Sequence, residues 1–490
     1  MDFLDPVKKR AQNRRLTIGY ILVAIALALG SLVILFRTYG YDLDRKTGRV
    51  IQNGLIYLSA APDQATVYLN GKNEGKTDAR LTKPSGRYKI KLNSEGYKPW
   101  QKTITLDGGS VERLSYPRLF PTKLVSSPLA RLAKRPSLIT TSPNKRWLIV
   151  GQPGSLRKFD EYNLSASLEK STSITLPKNL LTASSAGHKI GLVEWANDNR
   201  HFLIKHSFKG GHEFIVIDRQ TPKSSVNINR VLSNKSATIT LRNGRYNSYY
   251  VFDRKNQQLL SGDLKSKNTR LILNNVTSFK SFGDNTILYA TSSGAPKNKI
   301  LIKVLDGDSS YTIRSLAART DYLLGLAKFD GRWLMLVGDK SKDQVYIYED
   351  PFSVLRLRDP GMLPTAITLK LNKPAHVSFS PNHRFVSVQR GAEFAVYDAL
   401  DNRRYYYSLG QGFSNNSPAF WMDEYRLYTI HKGRMLVFDF DGINRQFLTP
   451  AIADAKVFFN PDYKSLYSLA PFGKRPGQVA LTQTELTVKK

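Results

Sequence analysis

Three patterns of apolar and polar positions divide this chain. Residues 16–36 are 21 consecutive positions without a charged side chain, preceded by Lys8, Lys9, Arg10, Arg14 and Arg15. At about 1.5 Å per residue such a helix is about 31 Å long, matching a hydrocarbon core of about 30 Å. Beyond residue 53 the pattern shifts to short runs of period two, as where Tyr88, Ile90 and Leu92 alternate with Lys89 and Lys91. That alternation predicts half-buried strands with lysines turned to water. From residue 121 onward an apolar strand closing on an acid recurs, at Phe159-Asp160, Ile217-Asp218, Phe252-Asp253, Leu305-Asp306, Tyr348-Glu349, Tyr397-Asp398 and Phe438-Asp439. The six intervals cover 279 residues, a period of about 46, close to the roughly 40–50 residues of a propeller blade.

The apolar run predicts a compartment. Basic residues beside a span stay on the cytoplasmic side, so residues 1–15 read as a cytoplasmic tail and residues 16–36 as one transmembrane helix. A linker over 37–52 follows, and the rest lies outside the cytoplasm. Ala26-Leu27-Ala28 carries the small residues of a signal-peptide cleavage site, but residues 32–36 continue the apolar run beyond it. Cleaved signals have apolar regions of only about 7–15 residues, so the reading is a retained single-pass anchor.

Residues 53–120 read as a small β-sandwich of about five strands. Asn70-Gly71 is a strong hairpin signal because both residues tolerate positive φ. The segment resembles the PEGA domain in Ala61-Pro62-Asp63-Gln64-Ala65, Val67-Tyr68-Leu69-Asn70-Gly71, Gly75-Lys76-Thr77, Pro84-Ser85-Gly86-Arg87-Tyr88 and Glu95-Gly96-Tyr97. The eponymous glycine stands here as Gln64. The resemblance implies an extracytoplasmic, non-catalytic module with no defined ligand, its glycines serving turns.

Residues 121–490 divide into units of four strands, read around residue 390 as 376–379, 385–389, 393–397 and 404–409. One such unit cannot cover both of its faces, so neighbours must stack around an axis. Eight units are counted. The last, over 457–460, 465–469 and 478–485, lacks a fourth strand, and residues 122–126 are available to supply it and close the ring. The third, near 237–253, is the weakest, and as an insertion would leave seven blades. The repeats resemble Tol-associated and dipeptidyl-peptidase-type (WD40-like) propellers, best in Leu436-Val437-Phe438-Asp439-Phe440-Asp441-Gly442-Ile443-Asn444. The turns at Ser142-Pro143-Asn144-Lys145-Arg146 and Ser380-Pro381-Asn382-His383-Arg384 stand where that family has Ser-Pro-Asp-Gly-Lys. The expected fold is therefore all-β after one helix: a small PEGA-like sandwich, then a seven- or eight-bladed propeller, eight favoured. This fold hosts many unrelated functions.

Composition narrows the chemistry. The chain has no cysteine, hence no disulfide framework and no thiolate site, while 25 tyrosines and 23 phenylalanines suit strands. The net charge of +34 resides mostly outside the tail and attracts polyanions such as anionic wall polymers, acidic headgroups or nucleic acid. A merely solvated lysine-rich surface is the plain alternative. No dedicated nucleic-acid motif is present, so nucleic acid is expected to bind only non-specifically.

Asp439-x-Asp441-Gly442-x-Asn444 has Pro450 where a calcium loop needs its twelfth-position glutamate, and reads as a turn. The seven histidines, His188, His201, His206, His212, His376, His383 and His431, form no metal-ligand spacing. No G-x-S-x-G elbow, Walker loop or dinucleotide fingerprint occurs; Gly108-Gly109 and Gly210-Gly211 read as hairpin loops. Arg403-Arg404-Tyr405-Tyr406-Tyr407 reads as an outer blade strand with one exposed face. No catalytic, cofactor-binding or metal residue is assigned and no cofactor is expected. The expectation is a non-enzymatic, membrane-anchored envelope protein whose propeller binds an anionic polymer or an acidic protein. The alternatives are a glycan hydrolase with paired acids at the propeller pore, or an accessory subunit of an envelope or export complex.

Overall fold

The uncharged run lies within a helix over Pro6–Thr38 whose leucines, isoleucines and valines from Leu16 to Leu35 remain half or more exposed. It is long and apolar enough to cross a bilayer. The computed structural model describes residues 6–43, 48, 50–166, 171–183, 186–232, 237–318, 321–357, 364–415, 417–473 and 477–488. Two units separate: Met1–Lys123 with Thr487–Lys490, and Leu124–Leu486.

In the first unit, two four-stranded sheets form the sandwich. Val50–Leu58 is central to one, antiparallel to Tyr41–Leu43 and Ala79–Pro84 and parallel to Val111–Leu114. The other is antiparallel in the order Lys72–Lys76, Thr66–Leu69, Gly86–Asn93, Trp100–Leu106. Ile56, Leu58, Val67, Leu69, Ile90, Leu92 and Trp100 are buried, while Lys89 and Lys91 point outward as their alternation predicts. Asn70 and Gly71 take φ of 50° and 86° at the hairpin, and Gln64 holds φ 64° in place of the family's glycine.

Among its described residues the second unit is a closed ring of eight four-stranded sheets, which gives eight blades. The weakest repeat is a complete blade, with strands Thr238–Arg242, Arg245–Asp253, Gln258–Asp263 and Thr269–Leu273. The first strands of the blades, in order, are Ile139–Thr141, Lys189–Trp195, Thr238–Arg242, Val276–Phe282, Tyr322–Phe329, His376–Phe379, Phe420–Trp421 and Phe458–Phe459. First strands of the second and third, fourth and fifth, and fifth and sixth blades touch one another, as strands lining the axis do.

Apolar faces stack blade upon blade. Ile149 and Phe159 pack with Phe202 and Ile215 between the first two blades, and Leu336 and Ile347 with Val386 and Tyr397 between the fifth and sixth. Leu148 and Val150 of the first blade meet Tyr467 and Leu481 of the eighth, completing the circle. The closing strand is Ser126–Leu132, which pairs with Val479–Thr484 as the outermost strand of the last blade. It begins where the expected segment, 122–126, ends. Leu129, Ala130 and Leu132 supply the apolar contacts that fix its place.

The recurring acids hold the turns that make the repeat visible. Asp218 Oδ1 accepts the Gln220 and Thr221 N–H groups, each at 3.0 Å, and Asp253 and Asp398 do the same for the residues that follow them. Arg200 and Arg384 grip Asp218 and Asp398 through paired bonds of 2.5–2.9 Å. In the other repeated turn, Ser142 Oγ donates to Asn144 Oδ1 at 2.6 Å and accepts the Trp147 N–H at 3.1 Å. Lys145 and His383 occupy the left-handed position, with φ 58° and 62°.

Candidate functional site

Where the first strands of the fourth to seventh blades begin, they surround a cavity of about 420 Å³ at one mouth of the channel. Strand geometry decides which side chains enter it, since alternate residues turn toward the axis. Ser278 and Lys280 come from the fourth blade, Tyr322 from the fifth, His376 and Ser378 from the sixth, and Phe420 from the seventh. Lys340 and Gln389 reach the same mouth from the ends of second strands.

Each polar group has a definable state. Gln389 Oε1 accepts the Ala419 N–H at 2.7 Å, and its Nε2 donates to the Gly391 carbonyl at 2.8 Å, so the amide is spent on structure. Ser378 Oγ accepts from Trp421 Nε1 at 3.0 Å and keeps its own proton to offer. Ser278 Oγ is buried and meets no hydrogen-bond partner among the described residues. His376 shares a hydrogen bond with the Asn415 carbonyl at 3.2 Å; burial and the nearby Lys340 charge lower its pKa.

Lys456, just before the eighth blade's first strand, sets its Nζ 5.0 Å from the centre of the Phe420 ring. Its side chain is exposed, while the protein around it partly desolvates the ammonium and lowers its pKa. Glu194, on the second blade's first strand, is the acid within reach of Lys280's charge. Burial raises its pKa, opposed by the Leu241 N–H at 2.6 Å and by Lys280. Among the described residues lining the cavity there is no carboxylate. Cations and aromatic rings therefore share this pocket, a setting in which charge and ring faces can both be used for binding.

The residues weighed in the sequence lie elsewhere or serve structure. Asp439 closes its turn by accepting from Asn444 Nδ2 at 2.8 Å. Tyr407 stacks on Phe394 at 5.1 Å while Tyr406 faces out, as an outer strand requires. His201 sits between Asp198, at 2.6 Å, and the Tyr246 ring; His431 stacks on Phe413 at 4.1 Å. Among the described residues no group of three or more His, Asp or Glu is placed to hold a metal ion.

His206 forms a chain that spacing did not suggest. Its Nε2 meets His188 Nδ1 at 3.0 Å and its Nδ1 meets Glu213 Oε1 at 2.9 Å. Of the seven histidines, His376 alone lines the cavity. Lys280, Lys340 and Lys456 carried no sequence signal, being single lysines in unrelated repeats.

Residues 53–118 match the family model described as PEGA domain. No curated protein matches the chain. The Dos1 propeller has 11% identity over 74% of this chain and 94% of its own, with a TM-score of 0.42. The propeller domain of Cps50 (Swd1) from Myceliophteria thermophila has 12% identity over 64% and 99%, with 0.39. Apo AztD from Citrobacter koseri has 13% over 76% and 94%, with 0.38. At these values they add nothing to what the eight sheets establish. The chain therefore joins a PEGA domain to an eight-bladed β-propeller, behind an N-terminal apolar helix.

Proposed function

We propose that this is a membrane-anchored binding or scaffold protein of a bacterial cell envelope. Residues 16–36 hold it in the membrane with the basic tail in the cytoplasm, and the propeller recognises an anionic polymer or an acidic partner protein. It acts by binding rather than catalysis. The observation that carries this reading is the channel mouth, where lysines and aromatic rings gather with no carboxylate among the described lining residues. A chain charge of +34 supports it by drawing polyanions from a distance. The PEGA domain accords with an extracytoplasmic position.

The test is the salt dependence of binding. Full-length protein in neutral-lipid nanodiscs is titrated with a poly(glycerol phosphate) polymer. Association through several phosphate contacts falls at least about tenfold between 50 and 200 mM salt. Binding indifferent to salt, or no binding, overturns the proposal.

A further inference from the structure

The cations at the channel mouth are not equally neutralised. Lys340 has Asp321 at 4.0 Å, and Lys280 has Glu194 within its field. Among the described residues Lys456 meets the face of Phe420 and no carboxylate. The Lys456 side chain is exposed, and the ring face it meets stabilises its charge without neutralising it. The mouth therefore keeps positive charge that an incoming anion can satisfy.

The remaining lining narrows what carries the anion. Tyr322 and Phe420 present aromatic surface, and Ser378 presents a hydroxyl beside His376. Aromatic walls with a convergent hydroxyl suit a body that has an apolar face and a polar edge, as a pyranose ring does. The volume of about 420 Å³ lies within the range of small-molecule sites, too small for a protein surface or a duplex.

We propose that this cavity binds a terminal sugar residue bearing an anionic group, the end of an acidic glycan. Lys280 and Lys456 hold the anion, the rings of Phe420 and Tyr322 pack on the sugar, and Ser378 Oγ donates to one of its hydroxyls. The site rests on the reading of the chain as a binder of anionic envelope material, and gives that reading a place and a ligand class.

The test is calorimetric titration of the full chain in neutral-lipid nanodiscs with methyl glucuronide, glucose 6-phosphate, methyl glucoside and inorganic phosphate. At least one anionic sugar is expected to bind ten times or more tightly than both methyl glucoside and inorganic phosphate. Lys280→Met with Lys456→Met lowers that affinity tenfold or more, whereas Lys89→Met with Lys91→Met leaves it unchanged. A neutral sugar matching the charged ones overturns the proposal, as does phosphate matching the sugars. Lysine variants that bind like the parent overturn it too. If the paired variant does not fold, the ligand ranking on the unaltered chain and the two single variants decide. Salt-dependent polymer binding by a chain that ignores every sugar overturns this site and leaves the broader reading standing. Loss of polymer binding as well overturns both.

Discussion

Glu213 shows how a buried acid with a catalytic look can be wholly structural. Burial alone raises its pKa, but His206, Thr182 and Asn227 all donate to it, at 2.6–2.9 Å, and hold the carboxyl at about 2 instead of 4.5. A folded-state pKa below the unfolded value stabilises the fold above the unfolded pKa. That contribution is complete above about pH 5 and fades as pH falls toward 2. Glu213→Gln is expected to lower stability at pH 7 by about 2–3 kcal/mol. It should also flatten the dependence of Tm on pH between 5 and 3, and an unchanged slope would show that Glu213 is not the responsible group. Gly442 makes a steric case: it holds φ 79°, and a Cβ there would stand 2.4 Å from the Tyr407 ring. Gly442→Ala is expected to cost about 1–3 kcal/mol, read as a fall in Tm, since both backbone and ring must yield.

Among elements, the strand Ser126–Leu132 joins the start of the propeller to its end. Leu129 and Leu132 attach it to the cluster shared by the first and eighth blades. Replacing both with Asp should free the strand and leave Val479–Glu485 as an open edge. Amides of that strand should then exchange with deuterium at least tenfold faster, while those of Phe385–Arg390 keep their protection. Uniform loss of protection would mean the ring opens all at once. Several blades were legible because an acid at a fixed turn, as at Asp218, Asp253 and Asp398, accepts neighbouring N–H groups, a local chemistry that leaves a periodic mark. The sixth blade's strands were read to within about a residue on that basis. The third was faint because Asn243-Gly244 joins its first two strands without the Ser-Pro-Asn turn. The closing strand was misplaced because its partner lies more than 340 residues away and its own apolar positions do not alternate. The cavity left no trace at all. Lys280, Tyr322, His376, Phe420 and Lys456 belong to five repeats, and a strand lysine bound for the channel looks like Lys89 or Lys91, bound for water.

For the whole molecule the decisive question is which side of a membrane carries the propeller. A helix with exposed leucines, isoleucines and valines along its length is unstable in water and stable in hydrocarbon. The basic residues Lys8, Lys9, Arg10, Arg14 and Arg15 precede it, and translocating five cations is disfavoured against retaining them. On the proposed reading the helix leads outward, and the +34 chain would meet the envelope's anions without competition from cytoplasmic nucleic acid. A protease added to intact protoplasts should therefore remove an epitope placed after Lys490 and spare one placed before Met1. Carbonate extraction should leave both in the membrane fraction of untreated cells. Reversing the charge of those five residues should weaken or invert the pattern, because they fix the orientation. A C-terminal epitope that survives until lysis would place the propeller in the cytoplasm. An N-terminal epitope lost in untreated cells would mean that the helix is cleaved.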